Sequence, residues 1–183
     1  NAHSIGLKAD GTVWAWGSDT YGQLGDDATL ANQSAPVQVS GLPAIADICA
    51  GSYHSLALTV AYGQVYTWGR DDNGQLGNDS TLQNSPTPVY AGLTYMKGLA
   101  GGAYHSLAVD IFGGDVRAWG GNGSGQLGNG NYTQQPTPVT VSGLTNILSV
   151  DCGWQHSVAL TGSGTIKTWG ADSYGQLGND ATL

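Results

Sequence analysis

The sequence predicts an all-β protein, a β-propeller of four-stranded antiparallel blades, and three observations carry that prediction. A decapeptide recurs four times, as WGSDTYGQLG (Trp16 to Gly25), WGRDDNGQLG (Trp68 to Gly77), WGGNGSGQLG (Trp119 to Gly128) and WGADSYGQLG (Trp169 to Gly178). Its tryptophans are spaced by 52, 51 and 50 residues, and a His-Ser pair returns at His3, His54, His105 and His156, 51 residues apart each time. A period near fifty marks arrays in which each unit buries its apolar face against the next. Between the markers lie four strand-sized segments per repeat, separated by turn residues, which is the make-up of a propeller blade. A β-sandwich would not require such regular repetition.

Taken in order, HSIGLKADGTVWAWG is a hairpin turning at Asp10-Gly11, and residues 1–17 are read as a partial blade. After the loop GSDTYGQLGDDATLANQ, the segments APVQVSG, AIADICAG, HSLALT and GQVYTWG make a blade over 35–69. TPVYAG, MKGLAGG, HSLAVD and DVRAWG make a second over 86–120, and TPVTVSG, ILSVDCG, HSVALT and TIKTWG a third over 136–170. Residues 171–183 are read as the loop connecting to a next blade, for about three and a half blades in all. Alternation at Leu56, Leu58, Val65 and Trp68 gives each strand an apolar face, and Trp16, Trp68, Trp119 and Trp169 are read as core, each indole N–H finding a backbone carbonyl.

Composition narrows the function classes. Charged residues are 10% of the chain and glycine 30 of 183, which suits short strands and tight turns. Five basic against thirteen acidic residues give a net charge of -8 with no Lys/Arg cluster, so neither nucleic acid nor an anionic membrane is an expected partner. A neutral or basic partner suits the chain better. No run of eighteen apolar residues occurs, so no membrane-spanning helix is expected. Cys49 and Cys152 are read as small buried hydrophobes rather than a disulfide, because they sit two repeats apart.

The repetition also argues against chemistry. The four histidines go to four different blades and cannot converge, so they are read as structural, hydrogen-bonded near a strand start. Ser4, Ser55, Ser106 and Ser157 follow them without a Gly-x-Ser-x-Gly elbow. The GQLG loops lack the Lys-Ser/Thr of a phosphate loop, and Asp26-Asp27 and Asp71-Asp72 lack calcium-loop spacing. No catalytic residue, metal site or cofactor is expected, and the protein is read as a non-enzyme.

Where the repeats differ is more informative. The link preceding each His carries Ser52-Tyr53, Ala103-Tyr104 and Trp154-Gln155, and the loop following each Trp-Gly carries its own variable residues; in an up-and-down blade both kinds of link emerge on one face. That face is expected to gather Tyr21, Tyr53, Tyr104, Trp154 and Tyr174 with Asp19, Arg70, Asp72, Asn122 and Gln155. Tyr and Trp among small polar residues are what protein-recognition surfaces use, so these ten are the expected partner-binding residues.

The signature G-x-x-H-S-x-A-L, then W-G-x-[DN]-x-x-G-Q-L-G, then P-x-x-V, closely resembles the regulator of chromosome condensation repeat family across essentially the whole chain, with a composition similar to bacterial members. The resemblance implies a ring of seven blades, about 360 residues at this period, of which this chain would be a fragment. Open blade edges would then favour self-association. The resemblance also implies two kinds of function: plugging a partner with a propeller face, as members that inhibit β-lactamases do, or nucleotide exchange on a small GTPase, as the founding members perform. The copy Gly153-Trp154-Gln155-His156-Ser157 is similar to a motif of plant ultraviolet-B photoreceptors, but Gln155 replaces the arginine that role requires. The Thr/Asn-rich, weakly charged surface resembles secreted or cell-surface members.

Overall fold

A computed structural model of the chain describes residues 2–27, 30–78 and 81–179. Fourteen strands and no helix occur among them. β1 (His3–Leu7), β2 (Val13–Gly17) and β3 (Gln33–Gln38) form a three-stranded sheet. β4 (Ile45–Ala50), β5 (His54–Thr59), β6 (Val65–Gly69) and β7 (Ser85–Tyr90) form a four-stranded one. So do β8 (Met96–Gly101), β9 (His105–Asp110), β10 (Val116–Gly120) and β11 (Gln135–Thr140). The last sheet holds β12 (Ile147–Cys152), β13 (His156–Thr161) and β14 (Ile166–Gly170). All pairings are antiparallel between sequence neighbours, as in propeller blades, and the first strand of each later sheet packs on its counterpart in the next, β4 on β8 and β8 on β12.

The expected blade limits are corrected by this pairing. The P-x-x-V strand does not open the next blade but closes the preceding one: β7 pairs with β6 through Thr67↔Val89 and Tyr66↔Tyr90. The blades therefore run 45–90 and 96–140, flanked by three-stranded sheets over 3–38 and 147–170, rather than 35–69, 86–120 and 136–170. The physical cause is the loop after each Trp-Gly. Gly69 turns the chain at φ 105°, with space for no Cβ, since one would lie 2.7 Å from the Tyr53 carbonyl oxygen. The loop is then tied into a returning turn, so the chain comes back beside the strand it left. Residues 171–179 adopt this same loop, and 180–183 lie outside the described residues.

Burial follows position in the stack. Every residue of β5 is buried because sheets cover both its faces, whereas β13, with nearly the same sequence, buries only Ser157 and Ala159, the side turned to the preceding sheet. Three clusters of apolar side chains fill the three junctions between sheets. One joins Val13, Ala15, Leu24 and Val39 to Ile45, Ala57 and Trp68; the next joins Leu56, Leu58 and Val65 to Met96, Ala108 and Trp119. In the third, Leu107, Val109, Val116 and Leu127 meet Ile147, Ala159 and Trp169.

A hydrogen-bond ladder accompanies each cluster. Trp68 Nε1 donates to the Gln23 carbonyl at 2.9 Å, Trp119 Nε1 to Gln75 at 2.8 Å and Trp169 Nε1 to Gln126 at 2.8 Å. The same three carbonyls accept from Ser55, Ser106 and Ser157 hydroxyls at 3.0, 3.0 and 2.8 Å. Removing an indole of ~200 Å² from water is worth roughly 5 kcal/mol gross, against about 1 kcal/mol net for its hydrogen bond, so packing dominates and the bond sets the register. Glycine completes the fit: a Cβ on Gly25, at φ 69°, would lie 2.7 Å from Trp68 Nε1.

Candidate functional site

Among the described residues, the Ser-His geometry that could suggest nucleophilic catalysis belongs to the same ladder. His3, His54 and His105 Nε2 lie 2.9, 2.8 and 3.0 Å from Ser55, Ser106 and Ser157 Oγ, a separation typical of a base and its nucleophile. Each of these serines already donates its proton to a glutamine carbonyl, so Nε2–H must donate to the serine oxygen. The polarity is the reverse of a general base's, and His54, His105, Ser106 and Ser157 have no exposed surface. Burial pushes the histidines down to about 4 (His3), about 3 (His54) and about 4 (His105), so they stay neutral. No group of three or more His, Cys, Asp or Glu placed to hold a metal occurs among the described residues. Cys49 and Cys152 are free thiols, pushed up by burial, Cys49 to about 11.

The loops after the tryptophans are held by their own motif residues. The Asp or Asn two positions after Trp-Gly accepts from the leucine N–H: Asp19 from Leu24 at 2.9 Å, Asp71 from Leu76 at 2.9 Å, Asn122 from Leu127 at 3.0 Å and Asp172 from Leu177 at 2.9 Å. The glutamine side-chain oxygen accepts from the N–H two residues earlier, as Gln23 does from Tyr21 at 2.8 Å. This corrects two expected partner-binding residues. Asp19 and Asn122 are each 1% exposed, and Asn122 further donates to the Asn131 and Thr133 carbonyls at 2.9 and 3.1 Å. Both side chains are taken up by the loop scaffold, and Asn122 also borders a cleft with Arg70 and Tyr104; burial also raises the Asp19 carboxyl above its usual range.

The remaining variable residues do converge. The β4–β5, β8–β9 and β12–β13 links lie beside the inner strands, and their backbones are stitched together: Ser52 N–H donates to the Gly102 carbonyl at 3.0 Å and Ala103 N–H to Trp154 at 3.2 Å. The side chains that follow form a continuous row. Tyr21 meets Tyr53 edge-on at 5.7 Å between ring centroids, Tyr53 stacks on Tyr104 at 6.1 Å, and Tyr104 meets Trp154 edge-on at 6.1 Å. The Arg70 guanidinium lies over this row, 4.7, 5.3 and 5.5 Å from the Tyr21, Tyr53 and Tyr104 centroids. Asp72 Oδ2 holds it there, accepting from Nε at 2.9 Å and Nη2 at 2.6 Å. That pairing lowers the Asp72 carboxyl and raises the guanidinium.

Gln155, Tyr104 and Arg70 also border a cleft of about 440 Å³, which Asn73, Asn122, Gln126, Tyr132 and Gln134 line with them. Tyr132 and Gln134 are not among the residues expected on this face, although Tyr132, 75% exposed in an Asn/Gly/Thr/Gln-rich loop, satisfies the criterion that selected Tyr53. Tyr174 is on the equivalent loop of the last sheet, 89% exposed, and makes no ring contact with the row among the described residues. Of the ten expected residues, the structure thus joins Tyr21, Tyr53, Arg70, Asp72, Tyr104, Trp154 and Gln155 in one surface.

Repeated antiparallel blades with a fixed ladder between them and a variable, aromatic loop face define a repeat propeller. Comparison with known proteins agrees. The family model described as the regulator of chromosome condensation (RCC1) repeat matches residues 10–58, 62–109 and 113–160, and the chain belongs to that family. It is 38% identical over 167 residues to the human E3 ubiquitin-protein ligase HERC2, covering 88% of this chain and 3% of that protein. To protein pim1 of Schizosaccharomyces pombe it is 34% identical over 187 residues, covering 90% of this chain and 34% of the relative. Among solved structures, human WBSCR16 superposes with a TM-score of 0.81 at 26% identity, over 93% of this chain and 45% of that one. Prp20p of Saccharomyces cerevisiae, studied for its binding to Gsp1p and histones, superposes with a TM-score of 0.85 at 24% identity, over 100% and 46%. The chain therefore spans less than half the length of each of these proteins.

Proposed function

We propose that this chain is a non-enzymatic protein-binding propeller segment whose partner docks on the row from Tyr21 to Trp154. The observation that carries the reading is the Arg70 guanidinium held over three tyrosines by Asp72, on links whose backbones are bonded to one another. Tyr, Trp and Arg are the side chains that dominate binding energy at protein interfaces. Rigid rings on a stitched backbone lose little conformational entropy when covered, so more of the contact energy appears as affinity. The net charge of -8 favours a partner that is neutral or basic.

The test compares proteins retained by the immobilised chain and by a Tyr53→Ala/Tyr104→Ala/Trp154→Ala variant whose urea midpoint is unchanged. Partners held by the first and lost by the second support the reading, and identical retention by both sinks it. Under this reading the chain does not accelerate nucleotide release from a small GTPase; acceleration at catalytic concentrations would replace it with the exchange-factor function.

A further inference from the structure

The variable residue directly after each Trp-Gly sets what lies between one loop and the next, and in the four copies it is Ser18, Arg70, Gly121 and Ala171. In the first copy the Ser18 hydroxyl accepts from Gln23 Nε2 at 3.3 Å. In the second, the Arg70 guanidinium occupies the space between loops, 4.7 Å from the Tyr21 centroid, and Gln75 has no exposed surface. The third copy has glycine at this position, and the loop before it has Asn73 where the first loop has Tyr21, so both groups that fill the earlier space are missing. The cleft of about 440 Å³ opens there. A Cβ on Gly121 would stand 3.2 Å from Tyr104 Cβ and 3.7 Å from Asn73 Cβ, so a side chain at this position would enter the cleft. The loops on its two sides, β6 to β7 and β10 to β11, both belong to complete four-stranded sheets.

Side-chain amides dominate its lining. Those of Asn73, Gln134 and Gln155 have no hydrogen-bond partner among the described residues. Gln126, only 2% exposed, is fixed from one end: its Oε1 accepts from the Ser124 N–H at 2.9 Å. Its Nε2, lacking the hydroxyl that serves Gln23, has no acceptor among the described residues. A buried amide with unused donors favours a ligand that accepts from it. Charge narrows the ligand further. No described carboxylate lines the cleft, which disfavours a cation; Arg70 is already paired with Asp72 on a chain of net charge -8, which disfavours an anion. The backbone of the walls is engaged as well. Gly121 N–H donates to the Tyr104 carbonyl at 2.6 Å and Asn73 N–H to Gln75 Oε1 at 2.9 Å, so these walls offer no strand edge to an extended peptide.

We infer that this cleft binds a neutral saccharide. A sugar ring carries neighbouring hydroxyls, each both donor and acceptor, and a side-chain amide answers them with two N–H groups and one carbonyl oxygen. The apolar C–H face of the ring suits an aromatic side chain, and Tyr132 lines the same cleft. The volume falls within the range of small-ligand sites, roughly 300–1,000 Å³. Asn73 on one loop and Gln126 on the other hold the hydroxyls from two sides, and Gly121 leaves the room for them. The site shares Arg70 and Tyr104 with the aromatic row but does not require that a protein dock there.

Saturation-transfer NMR titration of the 183-residue chain with maltotriose, cellotriose, mannotriose and N-acetylated chitotriose tests this, with sialyllactose as the anionic control and an end-blocked trialanine as the peptide control. At least one neutral trisaccharide should bind with a Kd of ~1 mM or tighter, and neither control should bind as well. Gly121→Ser, which returns the first repeat's hydroxyl to Gln126, and Asn73→Ala, which removes an amide without filling the cleft, should each weaken that binding at least ~10-fold. Urea midpoints check that both variants are folded, and Asn73→Ala decides alone if Gly121→Ser is not. Three results overturn the inference: none of the four saccharides binding at ~10 mM, a control bound more tightly than all of them, or binding that Asn73→Ala leaves unchanged. Retention of protein partners is measured separately, so its failure would leave the saccharide site standing.

Discussion

Two tryptophans thirty-five residues apart are used in opposite ways. Trp119 is 0% exposed, wedged between sheets with its indole bonded to Gln75 at 2.8 Å, and Trp154 is 53% exposed at the end of an aromatic row. The first belongs to a ladder repeated at three junctions with the same residue types; the second stands where the other copies have tyrosine. Identity across repeats therefore marks the parts that must interlock with a neighbour of the same kind, and variation marks the parts free to meet something else. His54 and His156 show the same division within one motif, since the ring between two sheets is wholly buried and the ring on the last sheet is not.

The contrast breaks most sharply at the ladder. Trp119→Ala should lose about 3–5 kcal/mol of stability in urea unfolding, as large-to-small substitutions at fully buried aromatics do. Trp154→Ala should stay within roughly 0.5 kcal/mol. Comparable losses at the two positions would remove the distinction. Gly25→Ala comes next: it forces a Cβ against Trp68 and a non-glycine residue into φ 69°, for an expected cost of about 1–3 kcal/mol by the same measurement.

Acid sharpens the ladder's role. The histidines ionise near 6.5 when unfolded and at about 4, about 3 and about 4 when folded, so between these limits the unfolded chain binds more protons. Their contribution is fully present above pH 6.5 and is lost as pH falls towards 4, with a slope of up to about 1.4 kcal/mol per pH unit for each histidine. Urea midpoints at pH 7, 5.5 and 4.5 should fall in that order, and the fall should flatten when His105 is replaced by Gln. The smallest effect belongs to the loop face. Arg70→Ala leaves the Asp72 partner in solvent and should change stability by less than about 1 kcal/mol, while partner retention on the immobilised chain drops.

Much of this was legible before folding. The recurring Trp, His and Gly positions pointed to blades, and the separation of Tyr53, Tyr104 and Trp154 by one period each put them at one face. The face survived even though the blade limits did not, because shifting a four-strand frame by one strand leaves both kinds of link at the same end. Asp19 and Asn122 misled because a carboxylate or amide in a polar loop reads as exposed until the leucine N–H it accepts from is seen. Arg70 was legible as a face residue but not as a clamp over three rings, since those rings come from three different loops.

What the sequence determined by itself was the unit: strand lengths, turn glycines and the spacing that repeats them, all of which depend on contacts within a few residues or on exact recurrence. Only the tertiary structure decided which sheet each P-x-x-V strand joins and which nitrogen of His3, His54 and His105 reaches a serine 52 residues away. The reason is physical. A strand's alternation specifies that it has two faces and two edges, but the partner at each edge is chosen by how the intervening loop turns and by the packing energy of the sheet beyond it.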